Sequence, residues 1–273
     1  MLFACLLGGG ETAIDLAARA APPQLAKWLF LSLGLFLSTV CILAYRCVVR
    51  AIEQRAPIEL AWVGVANLSR GAAIGALLIL AVGVALWFCG FVRIDGFTDL
   101  DHLPRELGIA LTAAVTEEIL FRGILCRYLI TLFGLPAAVA MSAGLFGLAH
   151  LTNPYASVFS AITVGIEAGA LLALAFAATN SLWYVIGLHF AWNFLEGAVF
   201  GANVSGGAAH GLLKITITGP AVLTGGDFGP EQSPFAVGAS VIASLLFWRF
   251  ATANSQSTPC DRARPAPVRR LAR

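Results

Sequence analysis

Long apolar runs broken by a few ionisable side chains organise this chain. A helix needs about 20 mainly apolar residues, at 1.5 Å rise each, to cross roughly 30 Å of hydrocarbon. Residues 28–45 and 71–92 qualify without interruption, and 107–129, 135–151, 158–178 and 182–200 qualify despite polar insertions. Residues 235–250 form a shorter seventh run, and 58–68 is too short to span and reads as an interfacial or re-entrant piece. Hydrocarbon leaves open sheet edges unsatisfied, so the pattern predicts an all-α, polytopic transmembrane helical bundle of about seven spans, with eight as the alternative. The Gly- and Thr-rich connection 201–234 reads as an extramembrane surface loop with a strand-like patch at 215–218.

Composition removes the competing classes. Hydrophobic residues make up 59% and charged residues 12%, against roughly 45–50% and about 25% in soluble domains. Too little polar surface remains to wrap a water-facing sphere. A formal net charge of +2 offers no attraction for nucleic acid. The lipid bilayer is therefore the natural solvent and partner of such a chain. None of the six cysteines forms a C-x-x-C pair, so buried free thiols are expected rather than a disulfide or zinc framework. The first ten residues lack a basic region and do not read as a cleavable signal, and Ala272 and Arg273 make no prenylation box.

Basic residues near span ends set orientation. Arg46, Arg50, Arg55, Arg70, Arg122 and Arg127 mark one side, and Asp95, Asp99, Asp101 and Glu106 the other. Together with the arginine-rich tail beyond residue 261, they predict a multi-pass membrane protein with its C-terminus in the cytoplasm.

Ionisable groups inside a span cost on the order of 2.5–3.5 kcal/mol each and mark functional sites by default. The third span holds Glu117, Glu118 and Arg122; the fourth ends with Phe146 and His150; the fifth holds Glu167; the sixth holds His189 and Asn193. Glu117 lies 17 residues before the turn at Gly134 and His150 lies 16 after it, so an antiparallel hairpin brings them to one depth. His189 and Asn193 lie 9 and 13 residues past Asn180, about 14 and 20 Å along a helix. They share a face, and one cavity can hold all four groups. Glu118 and Arg122, four apart, neutralise one another on insertion. Glu167 has no motif around it; site lining, helix pairing and a polar wall all remain open. Gly165/Gly169 and Gly197/Gly201 have the spacing of close helix contacts. His102 and His210 fall in loops.

A carboxylate beside an imidazole can bind a water and take its proton. A second imidazole and an amide can donate to a developing oxyanion. Together they suit the addition of water to an acyl carbon. Two His and a Glu are also a zinc set, through Glu117, His150 and His189, although Asn193 is a poor zinc ligand and neither H-E-x-x-H nor G-x-S-x-G occurs.

Glu117-Glu118-x-x-x-Arg122, Phe146-x-x-x-His150 and His189-x-x-x-Asn193, in this order on separate apolar helices, resemble the CPBP family of CAAX proteases and bacteriocin-processing proteins, also called Abi. Thr179-x-Ser181-Leu182-Trp183 resembles the family's lead-in to its third motif. The resemblance divides the chain into N-terminal membrane helices (1–106), a catalytic helical core (107–200), the 201–234 loop, and a final helix with a basic tail (235–273). It implies an intramembrane endopeptidase of glutamic type that cuts a membrane-anchored protein or peptide near its embedded or C-terminal part. Glu117 and His150 would activate the water, His189 and Asn193 would form the oxyanion hole, and Glu118, Arg122 and Phe146 would support them. The family is often labelled metalloendopeptidase; a metal-free site is expected here, with zinc as the alternative. A non-catalytic immunity or scaffold protein of the same family is the competing reading, and a proton-coupled transporter using Glu167 and Glu117 a third.

Overall fold

The computed structural model describes residues 21–256. The expectations on Cys5, Cys260, the first ten residues and the arginine-rich tail lie outside that range. The described residues are mostly helical, with one two-stranded sheet among them. Helix α1 (Pro23–Ala51) leads through 3-10 turns at Ile58–Leu60 and Trp62–Gly64 to α2 (Ala66–Phe88). Strand β1 (Val92–Phe97) follows, then α3 (Leu103–Glu118), which continues through a π-helical segment (Ile119–Cys126) into α4 (Arg127–Ala149). Helix α5 (Val158–Val164) passes through a second π segment (Gly165–Ala170) into α6 (Leu171–Thr179). Helix α7 (Leu182–Phe194) ends in a third (Leu195–Val199). Strand β2 (Leu213–Ile217), the short α8 (Ala221–Thr224) and α9 (Pro234–Gln256) complete the order.

Five helices among the described residues are long and apolar enough to cross a membrane: Gln24–Ala51, Ala66–Phe88, Leu103–Thr152, Val158–Thr179 and Pro234–Ala253. The third is 50 residues long and is broken at Gly134, whose φ of 77° and ψ of 169° no helix contains. Phe121 packs on Phe146 across that break, 13 and 12 residues from it, so the two arms fold back as the expected hairpin. Helix α7 is not among the five: His189, Asn193 and, in its π extension, Glu196 interrupt its apolar face. The expected seven runs are therefore present as helices, while length and hydropathy alone pick out five spans. The second expected turn is built by Asn180, left-handed at φ 49°, and by Ser181, which caps α7 by accepting from the Tyr184 N–H.

Large apolar side chains such as Phe36, Leu77, Leu132 and Leu245 point outward, as a bilayer solvent requires. Inside, helices approach at backbone distance. A Cβ added at Gly71 would stand 1.9 Å from the Tyr184 carbonyl, and one at Gly187 would stand 2.1 Å from that of Leu68. This contact clamps α2 to α7. Gly165 and Gly169 meet Ala143 of α4 closely, as their spacing predicted; Gly197 and Gly201 instead receive the returning loop at Val204, Ala209 and Gly211.

Two expectations need correcting. The 201–234 connection is not simply surface: Ala202, Phe228, Glu231 and Ser233 are buried. Its strand-like patch pairs antiparallel with β1, Val92 opposite Ile217 and Ile94 opposite Ile215, which ties the loop down and turns its remainder inward. Of the four described cysteines, all free, Cys41 and Cys126 are buried but Cys47 and Cys89 are exposed, because a helix facing lipid needs no polar outer surface.

Candidate active site

Glu117 and Glu118 are adjacent on α3, about 100° apart around the helix, and meet different surroundings. Glu117 borders a cleft of ≈ 760 Å³ together with His150, His189 and Asn193. Three chain segments far apart in sequence thus bring all four expected catalytic groups to one opening. The Glu117 Oε2 is buried yet has no hydrogen-bond partner, a costly state unless something polar visits it.

Glu118 turns inward and is fully buried. Its Oε1 accepts from Arg122 Nη1 at 2.9 Å and from His189 Nδ1 at 2.9 Å. Arg122, also fully buried, donates Nη2 to the carbonyls of Ala168 (3.0 Å) and Gly169 (3.1 Å) in the second π segment. Its guanidinium carbon lies 4.4 Å from the centre of the Phe146 ring, within cation–π range. The expected pairing of Glu118 with Arg122 is present, and it does more than neutralise charge, since it ties α3 to the fifth-span helix and to His189.

Phe146 orients the other imidazole. Its ring lies 4.7 Å from that of His150, and its carbonyl is 2.8 Å from His150 Nδ1. A carbonyl only accepts, so Nδ1 carries the proton and Nε2 is left with a lone pair. His189 differs: donating Nδ1–H to a carboxylate leaves its Nε2 a donor only when the ring is doubly protonated.

Behind the cleft lies a second, smaller chamber of ≈ 20 Å³, bordered by His150, His189, Asn193, Glu167, Ser205 and Glu231. Glu167 therefore takes the site-lining role left open by its sequence context. Glu196 and Glu231 were missed. Glu196 had a legible signal: it is ionisable, lies within an apolar run and sits 16 residues past Asn180, at the depth of the other site groups. Glu231 sits among Gly and Pro in a loop and had none. Each of the three π segments holds one buried ionisable residue, namely Arg122, Glu167 or Glu196, in keeping with the frequent placement of such wide turns at functional sites.

Arg105 and Glu106, paired with each other, also line the cleft. His102 Nε2 lies 3.2 Å from the Ala198 carbonyl, and His210 Nδ1 lies 3.9 Å from Glu106; neither borders the cleft. Among the described residues, no group of three or more His, Cys, Asp or Glu side chains is placed to hold a metal ion.

Residues 101–195 match the family model described as type II CAAX prenyl endopeptidase Rce1-like. This segment is Rce1-like. It runs from the start of α3 into the π segment after α7 and contains Glu117, His150, His189 and Asn193. No curated protein and no solved structure matches the chain. The likeness to type II CAAX prenyl endopeptidases covers this segment, about a third of the chain, which is set among helices long and apolar enough to cross a membrane. Glu196 and Glu231 lie outside the matched segment.

Proposed function

We propose that this protein is a glutamic-type endopeptidase that hydrolyses a peptide bond near the membrane-embedded or C-terminal part of a membrane-anchored protein or peptide. The observation that carries the reading is the convergence of Glu117, His150, His189 and Asn193 on one cleft, with a carboxylate oxygen of Glu117 unpartnered there. Glu117 and the Nε2 lone pair of His150 bind a water and take its proton as it attacks the acyl carbon. His189, doubly protonated against Glu118, and the Asn193 amide donate to the oxygen that becomes negative. Glu118, Arg122 and Phe146 hold the two imidazoles in those orientations.

No step requires a metal. Arg105 and Glu106 line the cleft, whereas Glu53, Arg55 and Arg127, which pair with one another, do not. With the basic end in the cytoplasm, substrate enters from the opposite side of the membrane.

The test is cleavage of prenylated peptides ending in a CAAX box by the purified protein in nanodiscs, with the C-terminal fragment read by mass spectrometry. Comparison of membrane proteomes from cells carrying the wild type or Glu117→Gln extends it to unprenylated substrates. C-terminal cleavage that depends on Glu117 is expected. Equal cleavage by the two proteins sinks the assignment. Stoichiometric zinc in the purified protein, with activity lost to chelator and restored by zinc, replaces the metal-free mechanism.

A further inference from the structure

The chamber behind His150 and His189 has a charge problem that the proposed hydrolysis does not explain. Two buried glutamates from separate elements border it, Glu167 from the second π segment and Glu231 from the turn before α9, and a third, Glu196 from the third π segment, is buried against Glu231. The one guanidinium facing them is Arg122, already engaged by Glu118 and two carbonyls. Helix α9, packed across the same segment, brings Ser233, Ser240 and Ser244 and no ionisable side chain before Arg249. His150 and His189 close the other side.

The hydrogen bonds divide the three. Glu196 accepts two N–H donors, Trp192 Nε1 at 3.0 Å and the Glu231 amide at 3.1 Å, so it is the member equipped to carry charge. Glu231 accepts from Ser205, through its Oγ at 2.8 Å and through its backbone amide. Glu167, 4% exposed, has no hydrogen-bond partner among the described residues and borders the chamber. At ≈ 20 Å³ the chamber has room for one water, which needs two to four polar partners. Glu167, Glu231 and Ser205 supply them. Three uncompensated buried carboxylates cannot all be ionised.

We propose that a single water in this chamber joins Glu167 to Glu231 and that the two carboxyls hold one proton between them. The pair then presents one negative charge to the back of His150 and His189 and favours the imidazolium that His189 carries and the one that His150 forms on taking the water's proton. Glu167 and Glu231 are positioning residues, and this use of the pair rests on the protease reading. The shared proton itself does not. Loss of that proton at alkaline pH adds a second buried charge beside the first and ends the arrangement.

Infrared difference spectra of the full chain in nanodiscs test the shared proton without any substrate. At neutral pH the wild type is expected to show a protonated-carboxyl stretch that shifts in D₂O. Glu167→Gln and Glu231→Gln should each remove or move that band, and Glu53→Gln, at the far end of the bundle, should leave it in place. The absence of a protonated-carboxyl band in the wild type, a reading that needs no variant to fold, overturns the proposal. A band unchanged in both variants does so as well. Where cleavage is measured, Glu167→Gln should displace the alkaline limb of the kcat profile with KM unchanged. A uniform loss at every pH, with the limb in place, assigns Glu167 a structural role instead.

Discussion

The adjacent glutamates Glu117 and Glu118 should respond to the same substitution in opposite ways. In Glu118→Gln the acceptor of two charge-assisted hydrogen bonds loses its charge while keeping its shape. Arg122, fully buried, then faces two carbonyls and an amide with no anion of its own. Removing one partner of a buried ion pair costs about 3–5 kcal/mol. At about 2–4 °C per kcal/mol for a chain of roughly this size, the melting temperature should fall by on the order of 10 °C. In Glu117→Gln the substituted oxygen had no partner, so no internal hydrogen bond is lost and stability should stay within about 0.5 kcal/mol of wild type. Cleavage should nevertheless drop by about 10²-fold or more as the general base disappears. Scanning fluorimetry of the detergent-solubilised protein, paired with fragment release measured by mass spectrometry, reads both effects. A Glu117→Gln protein that melts as low as Glu118→Gln, or a Glu118→Gln protein that melts like wild type, would refute the division of labour between the two carboxylates.

Three further outcomes follow from the packing and the charges. Gly71→Ala places a methyl 1.9 Å from the Tyr184 carbonyl, so α2 must move off α7; a loss of at least about 1–3 kcal/mol is expected in denaturant titration, and unchanged stability would show that the helices separate freely. Burial works to raise the Glu59 carboxyl, but hydrogen bonds from Arg55 and Tyr45 outweigh it and leave it below its ordinary 4.5. Its stabilisation is therefore present above the unfolded value and fades as pH falls through the lower folded one. Glu59→Gln should destabilise at neutral pH and converge with wild type as the pH falls well below the ordinary carboxylate range; curves that stay parallel through the acid range contradict the argument. In a background with Cys47 and Cys89 replaced by serine, Ala209→Cys at the cleft should react with an impermeant maleimide outside intact cells while Arg50→Cys does not. The reverse pattern inverts the orientation.

Much of the site was legible because it lies on helices joined by tight turns. Gly134 and Asn180 act as origins from which depth can be counted: near-equal counts set Glu117 level with His150, and the counts to His189 and Asn193 approach that depth. That arithmetic is blind to rotation about the helix axis, so it could not tell that Glu117 faces the cleft while Glu118 faces Arg122 and His189. It is also blind to chain that leaves the bundle and returns. The 201–234 connection has no period to read, yet its pairing with β1 sends Ser205 and Glu231 back against the site.

The amino-acid sequence by itself determined the solvent, the helices, their turns and the depth of the groups that meet in the cleft, because those follow from hydropathy and a fixed rise per residue. Only the tertiary structure decided which carboxylate is paired and which is left open, what each imidazole's Nδ1 faces, and that two further glutamates border a chamber beside them with a third against one of these. Such features depend on side-chain direction and on contacts between segments far apart in the chain, and neither is encoded in local pattern.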